Sequence, residues 1–299
     1  MLLSILVISR TENLLSQMLS SISKATCLDN EDIEILCSWN GSQNNERKIV
    51  NNSNYDFKVA QRAKYHFAKN MNSLARKASG EILLIINDDI ILDSYSIDNG
   101  INALKKQNNI GLIAGNLRYK NGLIQHMGIS FDNKNDPYHK FEQSTVIGNS
   151  IMRDNSSKFI PAATGSLLLI KKELFNEIGF SEKYEVSGED IELCLDIREK
   201  KELNILFCAN VSGIHFSGTT RKKNNQGRSS DNDVKRMKKR RLEFLKNASR
   251  EQIILELKDL QEEILIIKNF YIKSKLKNFI RSCLNLIYYK FKSIKFQIK

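Results

Sequence analysis

Blocks of apolar residues alternate with amphipathic stretches along most of the chain. The apolar blocks predict strands, and the stretches with apolar residues three and four positions apart predict helices. Because the two alternate at regular spacing, we expect an α/β fold with a largely parallel sheet. The predicted strands are Leu2–Ile8, Ile33–Cys37, Phe57–Ala60, Glu81–Ile86, Ile110–Ala114 and Ile205–Val211. The predicted helices are Glu12–Lys24, Lys64–Ser79 and Ser96–Lys106.

Three segments depart from this alternation. Residues 115–160 hold short apolar runs between turn signals such as Asn121-Gly122, which predicts a less regular half of the fold. Ser217–Asp233 has almost no apolar residue, so we expect a loop or linker there. Residues 253–271 carry apolar residues at alternating spacings of four and three, a short heptad seam. Such a seam favours either pairing between subunits or packing on the body.

Charge is distributed unevenly along the 299 residues, whose net charge is +12. Residues 234–299 contain 18 of the 46 Lys and Arg residues but only six of the 34 Asp and Glu residues. The rest of the chain is therefore neutral, which argues against nucleic acid as a partner of the body. The end of the chain also has one apolar face, formed by Leu276, Phe279, Ile280, Cys283, Leu284, Ile287, Tyr288 and Phe291. This combination is typical of a helix at an anionic membrane surface, and equally of a helix docked on the body.

Neither the N-terminus nor the cysteines indicate export. The start of the chain lacks the basic residues and cleavage site of a signal peptide. The five cysteines are scattered and show no C-x-x-C spacing, so they predict neither a zinc site nor a disulfide framework. No apolar stretch reaches the ~18 residues of a spanning helix. We expect a cytoplasmic protein, peripheral at the inner face of the plasma membrane if its tail binds lipid.

A polar site is predicted where the strand Glu81–Ile86 ends, because Asn87, Asp88 and Asp89 follow it directly. In open α/β sheets, ligands bind at the carboxyl ends of strands. Two neighbouring carboxylates repel each other, and a divalent cation that also binds substrate phosphates lets both stay ionised. The alternative is an ordinary solvated turn, since Asn and Asp are common turn residues.

A second acidic cluster, Ser187–Asp190, opens an amphipathic helix about one hundred residues later. A general base needs a fixed carboxylate, and the start of a helix supplies such fixation. The alternative is structural, because Ser187 and Asp190 have the spacing of a capping box. The two roles are compatible.

The ordered motifs of residues 1 to about 222 resemble those of one enzyme family. In chain order they are Ile8–Asn13, Trp39–Ser42, Asn70–Asn72, Asn87–Asp89, Thr164–Ser166, Lys171–Phe175, Ile178–Glu182, Glu189–Leu193 and Ile214–Phe216. As a set they resemble the inverting family 2 glycosyltransferases of the GT-A fold that build bacterial surface polysaccharides. The resemblance implies metal-dependent transfer of a sugar from a nucleotide-sugar donor to a hydroxyl of a glycan or lipid-linked glycan acceptor.

The resemblance also implies a domain organisation. We expect a mostly parallel central sheet flanked by helices over residues 1–222, with a nucleotide-sugar half at 1–109 and an acceptor half at 110–222. A flexible linker over 223–233 and a C-terminal helical extension, the basic amphipathic tail 234–299, would follow.

Roles for individual residues come from the same resemblance. It assigns Asp88 to the ribose and Asp89, with His215, to a Mn²⁺ or Mg²⁺ ion on the diphosphate. We favour Mn²⁺ because imidazole suits it better. Asp190 would take the proton from the acceptor hydroxyl, and Glu189 would orient the base or the acceptor. Further nucleotide-sugar contacts are expected at Ser9, Arg10, Asn40, Asn72, Gly165 and Arg221.

Some positions depart from the family pattern or stay open. Trp39 stands where many relatives have an aspartate associated with the nucleotide base, and Asn87 opens the metal motif without a charge. Arg221 and the two lysines after it are equally well explained as a solvated charge run. His126 has no evident partner in the sequence, so we expect a structural role for it.

Two other functions, a nucleotidyltransferase and a non-catalytic scaffold, fit parts of the sequence. A nucleotidyltransferase on a similar sheet would need a glycine-rich phosphate loop after the first strand, and Ser9–Asn13 contains no glycine. A non-catalytic scaffold would not need both Asp89 and Asp190. The sequence therefore favours the glycosyltransferase.

Overall fold

The computed structural model describes residues 1–143, 157–216 and 230–268. By its internal contacts the chain divides into two units, residues 1–257 and residues 258–299. Arg221, the predicted linker up to residue 229 and the apolar face from Leu276 to Phe291 lie outside the described residues.

The predicted elements are all present, with bounds that differ by a few residues. The strands are β1 Leu3–Ser9, β2 Ile33–Trp39, β3 Asp56–Arg62, β4 Ile82–Asn87, β5 Ile90–Leu92, β6 Ile110–Arg118, β7 Ile124–His126, β8 Ile129–Phe131, β9 Pro137–His139, β10 Lys158–Ile160, β11 Leu167–Lys171 and β12 Asn204–His215. The helices are α1 Glu12–Ala25, α2 Gln43–Glu46, α3 Phe67–Lys77, α4 Ser96–Lys106, α5 Lys172–Ile178, α6 Glu189–Lys201, α7 Asp231–Asn247 and α8, which covers 250–268.

One curved sheet holds most of these strands, in the order β10-β12-β6-β11-β4-β1-β2-β3. The strands β3, β2, β1 and β4 are parallel, as are β6 and β12, whereas β11 runs antiparallel between β4 and β6. The short strands β5 and β7 pair with β12 and β6, and β8 pairs with β9 in a separate ribbon. The prediction of an α/β fold is confirmed. The sheet is mixed, because among the described residues four of its strand pairings are parallel and five, those of β11, β10, β5 and β7, are antiparallel.

Burial in the core accounts for the continuous apolar runs in the first half of the sequence. Every residue of β1 is buried, as expected for a parallel strand that is covered on both faces. Helices α1 and α4 pack on the sheet face that carries Leu3, Ile5 and Val7. In the described part of the chain, no helix is long and apolar enough to cross a membrane.

The C-terminal region begins differently from the prediction. Helix α7 starts at Asp231, inside the predicted linker, and the Ser230 hydroxyl caps it by accepting the Asp233 N–H at 3.1 Å. Met237 and Phe244 of this helix are buried, and α7 belongs to the unit that ends at Leu257. The segment 223–233 predicts a linker in sequence because helix α7, which begins within it, buries few apolar side chains.

Candidate active site

The carboxyl ends of β1 and β4 meet, because these neighbouring strands are parallel and Ile8 pairs with Asn87. Ser9 therefore lies beside the two aspartates that follow β4. Its hydroxyl donates a 2.6 Å hydrogen bond to Asp88 Oδ2. Asp88 and Asp89 are both buried. The two aspartates at this strand end are therefore buried polar residues and not part of a solvated turn.

Asp88 lies in an environment that disfavours its ionised form. The pKa of its carboxyl is raised to about 7, chiefly because the group is buried and also because Asp89 lies beside it. The Ser9 hydroxyl and the Arg10 guanidinium oppose this rise. A ligand that donates hydrogen bonds, or a nearby cation, would favour the carboxylate. The residue is therefore poised to gain from binding a hydroxyl-bearing ligand.

Asp89 and His215 are brought together by the pairing of β5 with β12, in which His215 lies opposite Ile90. The imidazole Nε2 lies 2.9 Å from Asp89 Oδ1. Gln125 contacts the other ring nitrogen, with its Oε1 2.8 Å from Nδ1. One nitrogen and one carboxylate oxygen that face each other are a chemically suitable ligand pair for Mn²⁺.

The number of protein ligands is small. Among residues 1–143, 157–216 and 230–268, no three His, Cys, Asp or Glu side chains are grouped so that they could hold a metal ion. Asp89 and His215 would supply two ligands, and phosphate and water oxygens would have to supply the others. This is the usual arrangement for a cation that binds together with a phosphorylated substrate.

Asp190 lies in the first turn of α6, and its position is fixed by backbone donors. Its Oδ2 accepts the Gly165 N–H and its Oδ1 accepts the Ile191 N–H, both at 2.8 Å. The helix begins at Glu189, which is buried, and Gly188 occupies the N-cap position that a capping box would give to Ser187. The capping-box prediction is therefore wrong in its register.

Gly188 explains that shift. Its φ is +122°, a conformation that favours glycine, and a Cβ there would lie 2.5 Å from the Tyr184 ring. The chain therefore enters α6 by a turn that only glycine fits, one residue later than the spacing of polar residues suggests.

Asp190 and the paired aspartates lie at the same edge of the sheet. Strand β11 runs antiparallel to β4, so Ser166 accepts the Asn87 N–H at 3.0 Å. Gly165, the residue before it, holds Asp190. Ser166 and Gly165 therefore connect Asn87, on the predicted donor side, with Asp190, on the predicted acceptor side.

Two other predicted contact residues have structural partners. Asn72 donates from Nδ2 to the Phe180 carbonyl and accepts the Phe180 N–H, both at 2.9 Å. These bonds tie α3 to the loop after α5 and do not support a contact to the donor. Asn40 donates to the Ala63 carbonyl, whereas its buried Oδ1 has no hydrogen-bond partner within the described residues.

Trp39 is a core residue. Its side chain is buried, and its indole N–H donates to the Ser42 carbonyl at 3.1 Å. A Cβ on Gly41 would lie 2.5 Å from the ring, so the turn after β2 is built around it. A base contact at this position would have to come from other groups than the Trp39 side chain.

Sequence reasoning missed a pair of histidines, of which His126 is buried and His139 is partly exposed. His126 Nδ1 lies 3.0 Å from His139 Nδ1, and His126 Nε2 accepts the Thr164 N–H at 3.4 Å. Burial, with the nearby His139 and His215, lowers the pKa of His126 well below its ordinary value, so its ring is neutral. The partner lies on a short strand whose pattern is too brief to be recognised in the sequence.

Asp233 was also missed, because the sequence places it in a polar linker. Its carboxylate is fully buried and accepts the N–H groups of Glu185, Val186 and Ser187 at 3.1, 2.9 and 3.4 Å. Burial alone would raise the pKa of Asp233, but these donors hold it below its usual value. Helix α7 thereby anchors the loop that leads into Asp190.

Several solved structures share this fold. The mannosyltransferase PcManGT from Pyrobaculum calidifontis, solved with GDP-Man and Mn²⁺, aligns with a TM-score of 0.53 and 14% identity over 81% of this chain and 69% of its own. GalNAc-T7, solved with UDP, GalNAc and Mn²⁺, aligns with a TM-score of 0.57 and 15% identity over 72% of this chain and 43% of its own. At these identities the likeness shows the GT-A fold.

Similar sequences point to the family. The O-antigen biosynthesis protein RfbC of Myxococcus xanthus is 26% identical over 159 residues, half of this chain and 12% of RfbC. The protein y4gI of Sinorhizobium fredii is 27% identical over 141 residues, 45% of this chain and 15% of y4gI. The chain thus matches only a small part of either relative. The model of glycosyl transferase family 2 matches residues 4–179, more than half of the chain, and the chain therefore belongs to that family.

Proposed function

We propose that this chain is a metal-dependent, inverting hexosyltransferase that moves a sugar from a nucleotide-sugar donor to a hydroxyl of a glycan or lipid-linked glycan. One observation supports this most strongly. The pairing of β4 with β11 brings Asp88 and Asp89 to the same sheet edge as Asp190, so a donor and an acceptor could meet there. The similarity to RfbC, an O-antigen biosynthesis protein, supports a polysaccharide as acceptor.

On the donor side, Asp89 and His215 would hold Mn²⁺ or Mg²⁺, which as a Lewis acid would neutralise the charge of the departing nucleoside diphosphate. The solved relatives PcManGT and GalNAc-T7 contain Mn²⁺. Asp88 would accept hydrogen bonds from the ribose hydroxyls, and the Ser9 hydroxyl fixes its orientation. Arg10 lies close enough to Asp88 to affect its pKa and would face the diphosphate. Arg221 is proposed as a further diphosphate contact on the family resemblance alone.

On the acceptor side, Asp190 would act as the general base. The backbone N–H groups of Gly165 and Ile191 hold its carboxylate in one orientation. As the acceptor oxygen attacks the anomeric carbon, its proton would move to Asp190, and the bond to the diphosphate would break on the opposite face. Glu189, one residue earlier, would orient the acceptor. Attack opposite the leaving group inverts the anomeric configuration.

The test of this mechanism is Asp190→Asn. We expect donor binding to persist and turnover to fall by about 10²-fold or more, as for loss of a general base. Glu192→Gln is the matched control, because Glu192 lies on the same helix and accepts from the Tyr184 hydroxyl at 2.7 Å. Turnover is measured as release of nucleoside diphosphate from a panel of nucleotide sugars with Mn²⁺. Near-normal turnover in Asp190→Asn would contradict the assignment.

A non-catalytic scaffold is the alternative function. Metal-dependent release of nucleoside diphosphate by the unmodified chain would exclude it, and complete inertness with every donor of the panel would favour it. The nucleotidyltransferase alternative has lost its support, since the family model matches the glycosyltransferases.

We further propose that the basic tail 234–299 binds an anionic membrane surface from the cytoplasmic side and that the seam 253–271 pairs two copies. The pairing proposal rests on the alternating spacings of four and three, which place the apolar residues of the seam on one helix face. Deleting residues 264–299 should abolish sedimentation with anionic vesicles, and added salt should weaken the binding of the full chain. Failure of the full chain to sediment with such vesicles would contradict the membrane proposal.

A further inference from the structure

A glutamine contacts His215 on the side opposite Asp89. Gln125 Oε1 lies 2.8 Å from Nδ1 of the imidazole, and Asp89 Oδ1 lies 2.9 Å from Nε2. Exposed fractions are 9% for Gln125, 8% for His215 and 7% for Asp89. Both ring nitrogens therefore face side-chain oxygens in an environment with little water.

The neutral imidazole carries one N–H and one lone pair, so its two nitrogens cannot play the same role. A nitrogen that binds a cation must present its lone pair, and the other nitrogen then carries the proton. An amide oxygen at Nδ1 accepts that N–H. The lone pair of Nε2 is then directed towards Asp89 Oδ1, and because two acceptors repel at 2.9 Å, this tautomer is favoured when both atoms bind a cation.

We infer that Gln125 is a positioning residue that holds His215 in the tautomer protonated at Nδ1, so that Nε2 and Asp89 can bind the divalent cation together. This inference rests on the proposed function, since it concerns the same metal site. Side chains that orient a metal-binding histidine in this way are typically worth about 10- to 100-fold in metal affinity.

The fold supplies a reason why Gln125 reaches the ring. Strand β6 pairs with both β7 and β12, the strands that carry Gln125 and His215. The pairing of β6 with β7 is irregular between Leu117 and Arg118, and Gln125 lies at that irregularity. Such irregularities in a ladder redirect a side chain from its regular face. The neighbouring Met127 is fully buried, so few waters compete for the bond.

A purely structural role makes a different prediction. The Gln125 amide nitrogen would then donate to Nδ1, and His215 would carry its proton at Nε2 and donate it to Asp89. This arrangement also satisfies every group, but it leaves no lone pair for a metal. The position of the proton on His215 therefore distinguishes the two roles.

The first experiment reads that proton by ¹⁵N NMR of the full chain, labelled at histidine, in the presence of Mg²⁺ and UDP or GDP. The His215 signals are assigned by their loss in His215→Ala. We expect the Nδ1-protonated form in the unmodified chain and its loss or mixing in Gln125→Leu. A ring protonated at Nε2 in the unmodified chain would overturn the inference.

The second experiment measures Mn²⁺ affinity by electron paramagnetic resonance, with Mn²⁺ alone and with UDP or GDP. Gln125→Leu should weaken binding by about 10- to 100-fold. Gln125→Glu retains an acceptor for Nδ1–H and should bind Mn²⁺ at least as well as the unmodified chain. Ser130→Ala, a buried polar residue on the neighbouring strand β8, is the control and should change nothing.

The outcomes separate this inference from the proposed function. If the unmodified chain binds no Mn²⁺ under any of these conditions, the metal site of the proposed function fails and the inference fails with it. If the unmodified chain binds Mn²⁺ and Gln125→Leu binds it equally well, only the inference is overturned. Weak binding in Gln125→Leu that Gln125→Glu restores supports both.

Discussion

Replacing Asp88 with asparagine should stabilise the metal-free protein above neutral pH. In the native state burial raises the pKa of Asp88 to about 7, whereas an unfolded aspartate titrates near 3.9. Between about pH 4 and pH 7 the native state therefore holds a proton that the unfolded state has released. Stability conferred by this proton falls as pH rises through that window and stays low above it.

The magnitude follows from the difference between the two pKa values. Three pH units at about 1.36 kcal/mol each give a cost of about 4 kcal/mol above pH 7, as an order of magnitude. Asparagine has no such cost and can still accept the bond from the Ser9 hydroxyl. We therefore expect Asp88→Asn to match the unmodified chain near pH 4 and to exceed its stability by up to this amount at pH 8. Donor binding should weaken.

The assay is urea unfolding in EDTA at several pH values between these limits. Asp93→Asn is the matched control, because the pKa of Asp93 is shifted in the opposite direction and the substitution should lower stability. Burial raises the pKa of Asp93, but Arg118 and Ser212 bind its carboxylate and hold the pKa below its usual value. Asp93→Asn should therefore cost most stability near neutral pH. A stability gain in Asp88→Asn that does not depend on pH would show that the buried charge of Asp88 is not its cause.

Two further predictions concern residues that support the site. Asp233→Ala should lower the free energy of unfolding by about 1–3 kcal/mol at neutral pH, because three N–H groups lose a charged acceptor. The stability difference from the unmodified chain should shrink in acid, as the pH approaches the low native pKa of Asp233, and urea unfolding at neutral and acid pH measures it. Asn72→Ala should lower stability but leave donor affinity unchanged in calorimetry, because its amide is bound to the Phe180 backbone; a weakened donor affinity would restore its predicted role.

Local patterns were sufficient for the central strands and for the polar strand end. The apolar run of β4 followed by Asn87, Asp88 and Asp89 predicts a buried strand that ends in polar residues, and the structure has a buried β4 with buried Asp88 and Asp89 at its end. The pairing of Asp89 with His215 is different, because the residues are far apart in the chain. The resemblance to a family predicted it, and no local pattern could have done so.

The missed residues owe their roles to tertiary contacts. Gln125 and His126 lie on a strand of three residues, too short for a period to be read. Asp233 looks like part of a solvated linker, because only its distant partners in the loop 185–187 bury it. Trp39 departs from the family pattern in sequence, and only the structure shows that its ring fills the core.

Metal-dependent stabilisation by one nucleotide is the decisive test of a donor site built on Asp89. Thermal unfolding of the full chain is followed with UDP, GDP, dTDP and CMP and their sugars, with Mn²⁺ and with EDTA. A ligand at about 100 times its Kd contributes about 2.7 kcal/mol to the native state. We predict a rise in Tm with one nucleotide and its sugar that requires Mn²⁺ and is absent in Asp89→Ala. No shift with any nucleotide, or a shift that persists in EDTA and in Asp89→Ala, would contradict the account.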